Sequence, residues 1–378
     1  STTMSLTTLP SITMSTVSYY TVSTSPLPAA GEAMTMSTNT LFVPKFDSND
    51  AIDTTMMMND VVCFVGKAEQ LPDTNVLSAY GSVGGPNCTN PNGCGVHVHA
   101  GFDCTNTTTQ EGHWYNKDTL TEDPWAFIGY LETTADGVGT YASCVHTGYD
   151  LVADPTLLTG RAFIVHAEDG SRISCGIIEE STTTMPTVLT TETVPIPGST
   201  SPARTEGDDS GVSSSVRVLA DVQSSVPDGV CYQGYAIGLE ADVESFLLGT
   251  GSETCNVTNG CGVHIHSGTG CENSEVQGGH YYDKEGVAAD PWLLASYLTT
   301  DSSGNTAFVG CVINGAGATE FGGKPFIVHN TDGSRLSCGL LPEGEDPAAP
   351  TAAPSGASGK STLFLHVGAM IAAVLFVI

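Results

Sequence analysis

The stretch GCGVHVHAGFDC, residues 93–104, recurs as GCGVHIHSGTGC at residues 260–271, an offset of 260 − 93 = 167. The same offset relates Cys144 to Cys311, GHWYNKD at 112–118 to GHYYDKE at 279–285, and Asp123-Pro124-Trp125 to Asp290-Pro291-Trp292. Cys63 matches Cys231 to within one residue, and RAFIVHAEDGSRISCGII at 161–178 matches KPFIVHNTDGSRLSCGLL at 324–341 with the offset reduced to 163. One unit has therefore been written twice, and the second copy has lost four residues from a loop before its last two matched segments.

Within each copy, short β-branched or alternating runs such as Val96 to His99, Ala162 to Val165 and Phe326 to Val328 are broken by Gly, Asn and Asp. No stretch holds a helical period. This pattern predicts an all-β sandwich or barrel for each copy and argues against a βαβ fold. The 378 residues suffice for two such cores. Between the copies lies STTTMPTVLTTETVPIPGSTSPARTEGDDSG, dense in Thr, Ser and Pro, which reads as an extended linker. The expected plan is a Thr/Ser-rich stalk at 1–47, a domain at 48–180, the linker at 181–211 and a second domain at 212–343. A further linker at 344–362 and an apolar tail at 363–378 complete it.

Charge and cysteine content bound the setting. Asp and Glu number 41 against 11 Lys and Arg, a net charge of −30, which argues against nucleic acid or an anionic membrane surface as partner. Twelve cysteines, six in each copy, suit an oxidising compartment, and the sequons at Asn87, Asn106 and Asn256 agree with a secreted glycoprotein. Residues 363–378 form an apolar run of 16 residues after the small residues Ser355 to Gly359, with no basic cluster behind it. That order fits a GPI-anchor signal better than a membrane span, which needs ~20 residues, so the membrane is expected to enter only through a C-terminal anchor or tail.

The chemistry lies in the histidines. Alternate residues of a strand share a face, so His97 and His99 project together, as do His264 and His266. A His-x-His pair is a ready chelate, though imidazole suits copper, zinc, iron and nickel alike. His113 and His166 also recur, as His280 and His329, whereas His146 aligns with Ile313 and His366 lies in the tail. The repeat itself thus separates ligand candidates from bystanders.

GVHVHAG, GHWYN and the GR…VH…GSR…CGII ending resemble the copper/zinc superoxide dismutase family, and the resemblance spans both copies. It implies tandem Greek-key β-barrels, one copper at His97, His99, His113 and His166, and a second at His264, His266, His280 and His329. It further implies that Arg172 and Arg335 attract the superoxide anion beside the copper, and that His113 and His280 take part in the catalytic cycle. Cys104 with Cys175 and Cys271 with Cys338 match the family's intrasubunit disulfide. Cys88 with Cys94 and Cys255 with Cys261 could close small loops, leaving Cys63 with Cys144 and Cys231 with Cys311, although six cysteines allow 15 connectivities.

Two departures narrow the resemblance. The zinc-bearing relatives carry further histidines after the bridging one, whereas here His146 is the only histidine between Trp114 and Val165, and none lies between Tyr281 and Val328. Only AEDGSRIS separates His166 from Cys175, and NTDGSRLS separates His329 from Cys338, so the family's longer electrostatic loop is missing. Both losses resemble the extracellular copper-only superoxide dismutases. The expected activity is dismutation of superoxide at two copper sites without zinc, at the cell surface or wall; the rival expectation is a copper store or surface structural protein without turnover. Oligomeric state is not legible in this sequence.

Overall fold

The computed structural model describes residues 18–27, 34–46, 58–76, 87–181 (apart from 127 and 131), 187–197, 199, 211–220, 229–248 and 251–343 (apart from 288). It shows two antiparallel curled sheets, one for each copy. The first copy contributes β1 (Ser18–Pro26), β2 (Met36–Val43), β3 (Val61–Glu69), β4 (Val96–Val98), β5 (Gly139–His146), β6 (Ala162–His166), β7 (Arg172–Ile177) and the short β8 (Glu179–Glu180). These pair in the order β4-β6-β7-β1-β2-β3-β5, with β8 against β1. The second contributes β9 (Thr187–Pro195), β10 (Ser213–Ala220), β11 (Gly229–Ile237), β12 (Val263–Ile265), β13 (Thr306–Ile313), β14 (Pro325–His329) and β15 (Arg335–Leu340), ordered β12-β14-β15-β9-β10-β11-β13. The two orders are the same path, so the sequence repeat is a repeat of topology, and the expected tandem β-barrels are what the chain forms. Among the described residues, helix is confined to single turns such as α1 (Thr107–Gln110) and α2 (Ser274–Gln277).

The domain limits differ from the sequence expectation. β1 and β2 fall inside the segment read as a stalk at 1–47, and β9 falls inside the linker at 181–211. Their Thr and Ser content reads as low complexity, yet Thr is β-branched and these runs alternate with period two. In β1, Tyr20, Val22 and Thr24 point inward while Thr21, Ser23 and Ser25 face out. The buried hydroxyls satisfy one another. Thr193 Oγ1 lies 2.7 Å from Ser214 Oγ and donates to Ser337 Oγ at 2.8 Å, joining β9, β10 and β15, and Thr24, Ser37 and Ser174 form the same cluster in the first barrel. A hydroxyl-bearing strand can therefore cross a core without leaving a polar group bare. The remaining stalk, linker and tail expectations, including residues 1–17, 200–210 and the anchor signal at 344–378, lie outside the described residues. Among the described residues no helix is long and apolar enough to cross a membrane.

Each barrel has its own core. Phe64, Trp125, Tyr141 and Phe163 lead the first, and Tyr232, Trp292, Phe308 and Phe326 the second. A third apolar cluster joins the two barrels: Phe42, Val61, Cys63 and Val65 of the first meet Leu219 and Cys231 of the second. This seam explains why every residue of β3 from Val61 to Gly66 is buried, where a sheet with one wet face would alternate. Gly229 belongs to the seam because a Cβ there would stand 2.4 Å from Val65 Cγ1.

The six disulfides fall within barrels: Cys63–Cys144, Cys88–Cys94 and Cys104–Cys175 in the first, Cys231–Cys311, Cys255–Cys261 and Cys271–Cys338 in the second. Cys104–Cys175 and Cys271–Cys338 are the pairs that the resemblance implies, and the other four are among the connectivities that the sequence left open. Six disulfides fit an extracellular protein.

Thr193→Ala leaves the hydroxyls of Ser214 and Ser337 each short of a buried partner and is expected to cost about 1–3 kcal/mol in chemical denaturation. The triple variant Thr193→Val, Ser214→Ala, Ser337→Ala removes all members together and is expected to recover most of that loss; a single substitution with no effect would show that the cluster does not hold β9 in place.

Candidate metal centre

β4 and the residue after it carry His97 and His99 into the barrel wall on one face. The backbone of His99 then bridges to that of His113, as His266 does to His280, which sets the third imidazole beside the second. The fourth stands at the end of β6, where the register against β7 shifts between Val165 and His166; the same irregularity falls between Val328 and His329. Such a shift re-aims a side chain, here toward the other three rings. Gly95 is required close by, since a Cβ would meet His97 Cε1 at 2.2 Å, and Gly262 stands in the same relation to His264.

The donor atoms of His97, His99, His113 and His166 lie within 4.8 Å of one another, as do those of His264, His266 and His329. His280 completes the second set, its ring centroid 4.3 Å from that of His264 and 5.2 Å from that of His266; His113 stands 4.3 Å and 5.2 Å from His97 and His99. All eight sequence-predicted ligands are thus brought together, four to a barrel. His146 is elsewhere, bonded through Nδ1 to Asp60 at 3.1 Å.

One nitrogen of each ring faces an oxygen that can only accept, so that nitrogen carries the proton. His97 Nε2 donates to the Ile128 carbonyl at 2.9 Å, His99 Nδ1 to Glu111 at 3.0 Å and His166 Nδ1 to Gly170 at 2.9 Å. In the second barrel the carbonyls are those of Ala295, Gly278 and Gly333. His113 and His280 instead donate from Nδ1 to the carboxylates of Asp123 and Asp290, each at 2.7 Å. The second nitrogens are then bare lone pairs. His97 Nδ1, His99 Nε2, His166 Nε2, His264 Nδ1 and His280 Nε2 are buried without a hydrogen-bond partner. His329 Nε2 and His266 Nε2 face each other at 3.4 Å, and with both protons held on Nδ1 that contact is lone pair against lone pair. A cation bound between them removes the repulsion and satisfies every orphan. Each cluster can hold a metal ion, with partners that fix ring orientation in the manner of metal-ligating histidines.

Electrostatics favours the neutral rings. Burial pushes His99 down to about 2, His266 to about 3, and His166 and His329 to about 4, and it drives His97 and His264 well below the ordinary value of 6.5. Burial alone would raise the Asp123 carboxyl, but the hydrogen bonds from His113 and from the Trp125 N–H outweigh it, so it lies below its ordinary value.

Arg172 and Arg335 sit at the rim, half-buried. Arg172 donates to Gln110 Oε1 at 2.9 Å, to the Thr107 carbonyl at 3.1 Å and to the Glu111 carbonyl at 2.6 Å, the last being the oxygen that also receives His99 Nδ1. Arg335 repeats this with Gln277 Oε1, the Ser274 carbonyl and the Gly278 carbonyl that receives His266. The guanidinium is therefore one shared oxygen away from a ligand ring. The single turns α1 and α2 supply those acceptors, capped by Asn106 and Asn273 and tied to β7 and β15 by Cys104–Cys175 and Cys271–Cys338. Asn106 therefore caps a turn as well as heading a sequon.

Sequence reasoning assigned no role to Asp123, Asp290, Gln110 or Gln277. The signal for the aspartates was present, since Asp-Pro-Trp recurs at the common offset, and the two Trp residues donate to the carbonyls of Trp114 and Tyr281 just past each third ligand. No protein-family model and no curated protein matches this chain.

Two outcomes follow for the metal-free protein and for metal affinity. With folded-state values far below 6.5, the unfolded chain takes up protons that the folded barrels refuse. Stability present above pH ~6.5 is therefore expected to be lost as pH falls toward about 4, measurable as a drop in melting temperature of chelator-treated protein. Asp123→Asn and Asp290→Asn remove the carboxylates that hold the Nδ1 protons, and are expected to weaken Cu2+ or Zn2+ binding roughly 10–100-fold in chelator competition.

Proposed function

We propose that each barrel is a copper-only domain of the superoxide dismutase superfamily and that the protein dismutates superoxide outside the cell, two superoxide and two protons giving oxygen and hydrogen peroxide. The observation that carries this reading is a cluster of four convergent imidazoles, one of which, His99 or His266, shares its carbonyl acceptor with a rim guanidinium, in both barrels. Copper held there would supply one-electron redox chemistry, and imidazole suits it in a site without hard oxygen donors. The motif resemblance selects copper over zinc, iron or nickel.

The chain's own residues divide the work. His97, His99 and His166 are oriented by backbone carbonyls and present fixed donors. His113 is oriented by a side chain; Asp123 occupies its Nδ1, the atom through which a bridging histidine would reach a second metal, so His113 offers Nε2 alone. That arrangement supports a single-metal centre. Arg172 and Arg335 supply positive charge at the rim of a protein of net charge −30, which repels a small anion at long range and must attract it locally. The disulfides support an extracellular setting, and the apolar stretch at 363–378, as an anchor signal, would direct lipid attachment at the cell surface.

Metal analysis of the purified protein, with superoxide consumption measured before and after copper removal and reloading, tests the reading. Two coppers per chain, negligible zinc and a copper-dependent rate are expected. Two coppers without turnover would move the function to copper holding and leave the sites standing. In the double variant Arg172→Gln, Arg335→Gln, copper content is expected to be unchanged while the superoxide rate falls about ten-fold or more and loses much of its dependence on ionic strength. An unchanged rate would remove the arginines from the reaction.

A further inference from the structure

The seam between the barrels holds two disulfides face to face. Cys63 pairs directly with Cys144 across β3 and β5, and Cys231 with Cys311 across β11 and β13. Across the seam Cys144 Sγ lies 3.9 Å from Cys311 Sγ, so the residues that meet are the repeat mates related by 311 − 144 = 167. The sulfurs of Cys63, Cys144 and Cys311 all lie within 4.8 Å of one another. Cys63 and Cys231 are fully buried, while Cys144 and Cys311 are half-buried.

We propose that the seam is a thiol–disulfide exchange site, at which reduction of one disulfide by a glutathione-class thiol yields a third pairing, Cys144–Cys311, that links the two barrels covalently. A reductant thiolate attacks the half-buried Cys144 Sγ, the bond to Cys63 breaks, and the Cys63 thiolate takes up a proton. A second reductant thiolate attacks the sulfur of the first, releasing the oxidised reductant and the Cys144 thiolate. That thiolate attacks Cys311 Sγ, and Cys231 leaves and is protonated. Two reductant thiols and two disulfides thus give one reductant disulfide, the Cys144–Cys311 bond and two protein thiols. Both thiols end on the buried cysteines, shielded from reoxidation by solvent oxidants, and the attack is intramolecular between sulfurs already in contact. The consequence is mechanical: the barrels stay covalently joined after cleavage between Ser181 and Thr187, where the chain passes from β8 to β9. None of this depends on the metal.

Two variants of the full chain test the exchange from opposite sides. Cys63→Ser frees the thiol of Cys144 beside the intact Cys231–Cys311 bond, and Cys231→Ser frees that of Cys311 beside Cys63–Cys144. After acid quench, alkylation and proteolysis, mass spectrometry is expected to find the same Cys144–Cys311 peptide in both, with the alkylated thiol shifted to Cys231 in the first and to Cys63 in the second. Wild-type protein treated with limiting reduced glutathione is expected to yield the same linked peptide as its dominant non-native pairing. Alkylation of Cys144 and Cys311 in place in the two variants, together with only native or doubly alkylated pairs in the wild type, would overturn the proposal.

Discussion

Every structural feature around the two centres serves one constraint: each imidazole must give its single proton to an oxygen so that its other nitrogen is left bare. A buried lone pair without a donor is costly, and four aimed at one another are more so. The fold accepts that cost at five ring nitrogens and sets two more, those of His266 and His329, face to face. It sets a register shift before His166 and His329, a glycine under His97 and His264, and a carboxylate behind His113 and His280. These devices hold the rings where only a cation satisfies them all, and burial suppresses the protonation that would otherwise relieve the strain.

The ligand set was legible in the sequence because ligation is a side-chain property and the chain states each ligand twice. The disulfides were legible in part, since spacing and resemblance suggested pairs among 15 alternatives. What composition hid were β1, β2 and β9. Thr-rich and Ser-rich runs read as linker because hydroxyls do not drive burial, and only the three-dimensional neighbour of each hydroxyl shows that Thr24 or Thr193 has a partner inside. The seam was hidden for a related reason. An unbroken apolar run such as VVCFV in β3 reports burial of both faces without saying what covers the second.

The two copies act as internal controls on which contacts are chemical and which are packing. In the cores, Phe64 and Tyr141 of the first barrel are replaced by Tyr232 and Phe308 in the second, with ring centroids 6.2 Å and 6.4 Å apart. The pair keeps its volume while the hydroxyl changes sides. Outside the site, Arg161 between Phe102 and Trp114 becomes Lys324 over Tyr281. Shape and sign of charge are kept, and identity is not.

Around the rings a sharper rule holds. Where a side chain is used, the residue is the same in both copies: the eight histidines, Asp123 and Asp290, Arg172 and Arg335, Gln110 and Gln277. Where only a carbonyl oxygen is used, the residue is free to change. Ile128 becomes Ala295 as the acceptor for the first ring, and Glu111 becomes Gly278 as the acceptor shared by the second ring and the arginine. Glu111 and Gly278 both adopt positive φ, 58° and 71°, so that backbone conformation survives a change from a charged residue to none at all. Gly170 and Gly333, which accept from the fourth ring, are glycine in both copies because φ of 84° and 81° favours it. A packing explanation of the histidine cluster would predict conservation by volume. The pattern instead follows the atoms that orient lone pairs and the cation at their rim, which is the pattern that holding a metal ion imposes.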